Sequence, residues 1–254
     1  MKLLIQILSL CALASAAVDS GTPLTPPTPP PLTRPGYIYT RLNASEAMLL
    51  VVDLQVGLYS QVRDQTPEAY LNAMMAHSAI GPLFNLPTVL TTSASSGPNG
   101  PLPKEIVDMH PHAPLVSRQG EVNAWDNAEF RAAVEATGRK QIIIAGITTD
   151  VCTAFLALSL RQAGYEVWAN TDASGTFSTR IADEANVRMR GAGVQTIGMF
   201  AIVLELMRDW RNTPGAAEVL PYFDKYLPSY GFLARSHAAA VLNGTLIPGE
   251  AGLA

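Results

Sequence analysis

Cysteine is nearly absent: the 254 residues hold two, Cys11 and Cys152. Charge is also scarce, at 15% of residues with a net charge of −4, and Lys and Arg are scattered, so the basic stripe that a nucleic-acid partner requires is missing. Beyond the N-terminal stretch no apolar run reaches bilayer-spanning length. Neither a Gly-x-Gly-x-x-Gly string nor a P-loop occurs, so no cofactor is implied. The four histidines make no metal site by spacing: His110 and His112 flank Pro111, His77 falls in a helical stretch and His237 near the C terminus. All four read as structural or surface residues. What remains is small-molecule chemistry or protein association on a chain that is 48% apolar, enough for a sizeable core.

The first residues follow the order of a secretory leader: Met1-Lys2, an apolar stretch from Leu3 to Ala14, then small residues to Ala17. This predicts a signal peptide over 1–17, a Pro/Thr-rich linker over 18–40, one α/β domain over 41–235 and a tail over 236–254. The chain is accordingly expected to be secreted, with no membrane association once the leader is gone. Sequons at Asn43 and Asn243 agree with that route. Cys11 leaves with the leader, so Cys152 stands alone. It cannot join an intramolecular disulfide and is either buried and inert, intermolecular, or reactive.

Six short β-branched or apolar runs, at 48–52, 87–92, 114–117, 141–145, 165–169 and 194–198, read as strands covered on both faces. Helix-length segments lie at 66–84, 126–137, 150–163, 179–191 and 200–211. This alternation predicts a mostly parallel sheet between helical layers. Gly138 and Gly164 close helices, while Asp126 and Asp172 stand where caps or turns belong. From Asn212 onward the composition shifts to Pro, Gly and Tyr and reads as an arm against the body or a neighbouring subunit.

In open α/β sheets ligands bind beyond the carboxyl ends of the strands. Asp53 ends the first run, Arg118 the third, and Cys152 follows the fourth by one tight turn. An acid, a cation and a thiol at one sheet edge suffice for nucleophilic attack on a carbonyl, with Asp53 taking the thiol proton. A helix beginning near Asp150, together with Arg118, is expected to lower the thiol pKa. Asn123, Trp125 and Phe155, near these residues in sequence, are expected to line the substrate pocket.

Leu50-Val-Val-Asp53-Leu-Gln, Thr91-Thr-Ser, Gly97-Pro-Asn-Gly100, Asn123-Ala-Trp-Asp126-Asn, Ala145-Gly-Ile-Thr-Thr-Asp-Val-Cys152, Thr171-Asp-Ala-Ser-Gly-Thr176 and Glu205-Leu-Met-Arg-Asp-Trp210 together resemble the isochorismatase-like cysteine hydrolase family. The Asn-Ala-Trp-Asp-Asn and Asp-Ala-Ser-Gly-Thr-Phe strings are similar to its YcaC-like branch. The resemblance implies a three-layer αβα sandwich around a six-stranded parallel sheet, Rossmann-like in build and usually homo-oligomeric. It also implies Asp53, Arg118 and Cys152 as the catalytic set. It further implies a cis peptide at Ile147-Thr148 and, by analogy, an oxyanion hole from the amides of Thr148 and Cys152. Most of the family has Lys where this chain has Arg118; Arg118 is therefore given an electrostatic role and Asp53 the proton transfer. The nicotinamidases of the superfamily bind zinc through an Asp and His pair after the second strand. This chain has Thr91-Thr-Ser-Ala-Ser-Ser-Gly97 there, so no metal is expected.

The expected activity is hydrolysis of a small amide or related acyl substrate through a thioester at Cys152. Two alternatives differ in class: an oligomeric binding or assembly protein without significant hydrolysis, and a vinyl-ether hydrolase in which Asp53 acts as acid without a covalent intermediate.

Overall fold

Side-chain alternation along the first strand already dictates a layer on each side of the sheet. In the computed structural model, which describes residues 39–246, β1 (Ala47–Val52) sends Ala47, Leu49 and Val51 into one apolar cluster and Met48, Leu50 and Val52 into another. All six are fully buried. A strand with two buried faces must be covered twice. The leader at 1–17, all but the last two residues of the linker and the end of the tail lie outside the described residues, and the contacts divide the chain after Thr40.

From Arg41 onward, β1 is joined by β2 (Thr88–Ser93), β3 (Leu115–Arg118), β4 (Gln141–Gly146), β5 (Glu166–Asn170) and β6 (Gln195–Ile197) in the order β3-β2-β1-β4-β5-β6, with every pairing parallel. The order reverses direction between β1 and β4, which opens a crevice at their carboxyl ends. One cluster takes residues from α1 (Pro67–Phe84), α6 (Met199–Met207) and α7 (Ala216–Tyr226); α2 (Lys104–Met109) contributes Ile106 to it. The other takes residues from α3 (Ala128–Ala136), α4 (Ala154–Gln162) and α5 (Thr179–Gly191). The expected three layers around six parallel strands are present.

Local signals account for most element ends. Thr66 accepts from the Ala69 N–H at 3.3 Å with Pro67 at the first helical position, and Asn85 closes α1 in the left-handed region. Gly138 and Gly164 close α3 and α4 with positive φ, as read from the sequence.

Asp126 ends a short turn and Asn127 caps α3, its Oδ1 accepting from Phe130 N at 2.9 Å. Asp172 caps α6, accepting from Met199 N at 2.7 Å. The segment from Asn212 packs on the body, as expected of an arm, but as helices: α7 buries Val219, Tyr222, Phe223 and Tyr226 in the core and leads into α8 (Pro228–Asn243). The proposed boundary between 235 and 236 falls inside α8, whose backbone ladder runs through it. Burial of four large side chains outweighs the unfavourable Pro221 within α7.

Candidate active site

The end of β1 delivers an acid. Asp53 follows Val52 with a left-handed backbone (φ 54°), its N–H bonded to Thr91 O at 3.0 Å, and its side chain is fully buried. Two strands away, the last residue of β3 delivers a cation. Both Asp53 carboxylate oxygens accept from Nη2 of Arg118, which is 1% exposed. The residues are 65 positions apart in sequence.

Cys152 arrives by a different route. After β4, Ile147 bridges to Gly175 and a cis bond joins Ile147 to Thr148, as the family resemblance implies. The expected helix at 150–163 does not start as an ordinary one. Thr149–Thr153 forms a wide turn in which Thr153 N–H reaches back five residues to Thr148 O at 3.1 Å, and α4 begins only at Ala154. Single wide turns of this kind are frequent at functional sites. It is tied down by Thr176 Oγ1 donating to Asp150 Oδ1 at 2.7 Å and by Thr149 N–H donating to Gly175 O at 3.1 Å.

The structure brings the three together. The Asp53 carboxylate, the Arg118 guanidinium and the Thr148 backbone all lie close enough to the Cys152 thiol to act on its ionisation. Asp53 and Arg118 are sealed from solvent, whereas Cys152 is partly exposed. A reachable sulfur thus stands in front of a buried ion pair.

Electrostatics overturn one expectation. Burial and then the neighbouring Asp53 charge push the Cys152 thiol up, and the opposing pull of Arg118 and the Thr148 amide is smaller. Burial likewise raises the Asp53 carboxyl against the pull of Arg118. Burial therefore favours a protonated thiol over a preformed thiolate. With the thiol neutral, the buried charges of Asp53 and Arg118 cancel, which is the cheapest ionisation for a dry site.

The three residues expected along the pocket wall make the following contacts. Asn123 is committed to Trp125 N, which it accepts from, and to Ser159 Oγ, to which it donates at 2.9 Å, about two helical turns beyond Cys152. The Trp125 ring packs edge-on against Tyr165, 5.9 Å between centroids. Tyr165 precedes β5, a strand of five residues that spans about 16 Å, so this contact lies toward the amino end of the sheet. Phe155 lies beneath the Arg188 guanidinium at 5.6 Å.

Two buried residues matter here more than their motif strings suggest. Gln55 accepts from Ser93 N at 2.8 Å and donates to the carbonyls of Ser93 and Gly100, pinning the 94–100 loop to the end of β2. Thr91 accepts from Arg118 Nε at 3.0 Å. The available signal is a hydroxyl or amide at a position where the strand pattern demands an apolar residue. On the cysteine's own turn, the buried hydroxyls of Thr149 and Thr153 have no partner. Among the described residues no cluster of three or more metal-ligating side chains occurs. A cavity of about 700 Å³ lies elsewhere, between Tyr59, Leu71, Met74, Met109 and Tyr226, and touches none of the three.

Comparison with known proteins agrees with the geometry. Residues 47–199 match the family model described as the isochorismatase domain. Over 206 residues the chain is 45% identical to "Probable hydrolase YcaC" of Escherichia coli (strain K12), covering 81% of this chain and 97% of that one. YcaC from Pseudomonas aeruginosa, solved with hexane-2,5-diol and covalent acrylamide, superposes with a TM-score of 0.77 at 46% identity, over 80% of this chain and 99% of that chain. The E. coli protein, solved as an octameric hydrolase of unknown specificity, gives 0.77 at 45%, over 80% and 98%. The MAR1 ribonuclease of Caenorhabditis elegans, 18% identical with a TM-score of 0.60 over 66% and 85%, shares the fold alone. With the fold, the family match over residues 47–199 and near-complete coverage of these relatives in accord, the chain belongs to the isochorismatase family of hydrolases.

Proposed function

We propose that this chain is a cysteine-dependent hydrolase of small amides or related acyl compounds. One observation carries the reading: the buried Asp53 carboxylate is held by Arg118 and lies beside the partly exposed Cys152 thiol, near enough for each to shift the other's ionisation. Asp53 takes the thiol proton as the sulfur attacks the carbonyl carbon. The oxygen that becomes negative is met by the N–H groups of Thr148 and Cys152. Asp53 returns the proton to the leaving nitrogen as the C–N bond breaks, giving a thioester. Water, losing a proton to Asp53, then cleaves it and releases the thiol. Arg118 keeps Asp53 ionised between steps; guanidinium itself transfers no proton. That the P. aeruginosa relative was solved with covalent acrylamide, an electrophilic alkene, supports the presence of a nucleophilic side chain in this fold.

Intact-mass measurement after incubation with a panel of small amides tests it. An acyl adduct on Cys152 is expected, and Cys152→Ala and Cys152→Ser are expected to lose turnover by at least about a thousandfold while remaining folded. Full turnover in either variant ends the thioester mechanism.

A second reading, vinyl-ether cleavage with Asp53 as acid, is favoured by the upward shift that burial gives the Asp53 carboxyl. Turnover of a vinyl ether that survives Cys152→Ser and is lost in Asp53→Asn separates it from the first.

We propose further that the chain acts as a homo-oligomer, as the octameric E. coli relative supports, and that it is secreted after removal of residues 1–17, on the leader pattern alone.

A further inference from the structure

Arg118 is unusual in having no donor to spare. A guanidinium carries five N–H groups in a rigid fork. Here Nε donates to Thr91 Oγ1 at 3.0 Å, Nη1 to the carbonyls of Glu121 and Val122, and Nη2 to both oxygens of Asp53. Every donor ends on the protein itself, so none is left for a substrate.

The geometry points to Thr91 as a positioning residue, whose hydroxyl locks the plane of Arg118 so that Nη2 stays on Asp53. The inference rests on the triad reading proposed above. Thr91 is fully buried in β2 and donates its own proton to Val116 O at 2.9 Å. That bond leaves a lone pair of its oxygen for Arg118 Nε. The β2–β3 register makes the arrangement possible: Thr91 lies opposite Val116 and Ser93 opposite Arg118, so the long side chain runs back to the hydroxyl. Without that hydroxyl, the guanidinium is free to turn about its Cδ–Nε bond and carry Nη2 away from the carboxylate. The carbonyls of Glu121 and Val122 hold Nη1 from the other side but do not fix the plane alone. A lysine needs no such socket, having no plane to orient.

The test is the rate at which iodoacetamide alkylates Cys152 at about pH 8, read by intact mass, with thermal unfolding measured alongside. Withdrawing the cation from the thiol moves its titration to higher pH, so Thr91→Val is expected to slow alkylation about tenfold, the effect of one pKa unit. Thr91→Ser, which keeps the hydroxyl, is expected to stay near the parent rate. Arg118→Lys, which keeps the charge but has no Nε, is expected to slow like Thr91→Val. A folded Thr91→Val with the parent rate, a Thr91→Ser as slow as Thr91→Val, or an Arg118→Lys at the parent rate overturns the inference. If Thr91→Val does not fold, the Ser and Lys variants decide it. Asp53→Asn separates the two levels of the argument. It removes the base that takes the thiol proton and is expected to slow alkylation. If it leaves the rate unchanged or raises it, the triad reading fails; if it slows alkylation while Thr91→Val does nothing, only the role of Thr91 fails.

Discussion

Asp53 and Arg118 place opposite charges where water does not reach, and each is tolerable only because the other is there. Asp53→Asn strands a buried guanidinium, so it is expected to cost about 3 kcal/mol, measured as a fall in the urea midpoint at constant slope, and to abolish turnover. The buried His77 offers an independent titration. Its Nε2 sits 3.0 Å from Leu50 O and its Nδ1 3.3 Å from Asn170 Nδ2, and burial lowers its pKa from 6.5 to about 4. In the unfolded chain the imidazole protonates first as pH falls. The stability it contributes is complete above about pH 6.5 and drains away between there and about pH 4, by an amount on the order of 2–3 kcal/mol. Urea midpoints across that window are expected to fall, and His77→Gln is expected to flatten the part of the slope that His77 owns.

The elements set the distances between these side chains. A Cβ on Gly146, the last residue of β4, would lie 2.5 Å from the backbone oxygen of Val52 and 3.0 Å from Thr153 Oγ1. Val52 precedes Asp53, and Thr153 follows Cys152, so the methyl group would part the acid from the nucleophile. Gly146→Ala is expected to destabilise by about 1–3 kcal/mol, by thermal or urea unfolding, and to depress turnover beyond what that loss explains. All six strands are legible in the sequence within one or two residues: β1, β2, β4 and β5 are buried almost throughout and need a continuous apolar run, whereas the edge strands β3 and β6, expected to be covered on both faces, are only partly so. The last two helices are not legible in this way. Pro221, Pro228 and Gly231 make 216–243 look like an arm, but Pro228 occupies the first turn of α8, where its missing N–H costs nothing, and Pro221 is outweighed by core burial. The wide turn before α4 also escaped notice, since its i+5 bonds depend on how Thr176 and Gly175 tether it.

On the scale of the whole chain, two expectations await measurement. Sedimentation velocity at micromolar concentration is expected to show an assembly larger than a monomer; a single monomeric species would count against the oligomer. Mass analysis of material secreted by a eukaryotic host is expected to show a chain beginning after Ala17. Apolar alternation and the positions of Asp53, Arg118 and Cys152 at the ends of their runs were determined by the sequence itself, because strand period and the crevice rule for open parallel sheets depend on local order. Tertiary structure alone decided which groups meet: the Arg118 fork on Thr91 and Asp53, and a thiol pushed up rather than down. The reason is desolvation. The energy of a charge or a thiol is set by what packs around it, and those neighbours come from strands far apart in the chain.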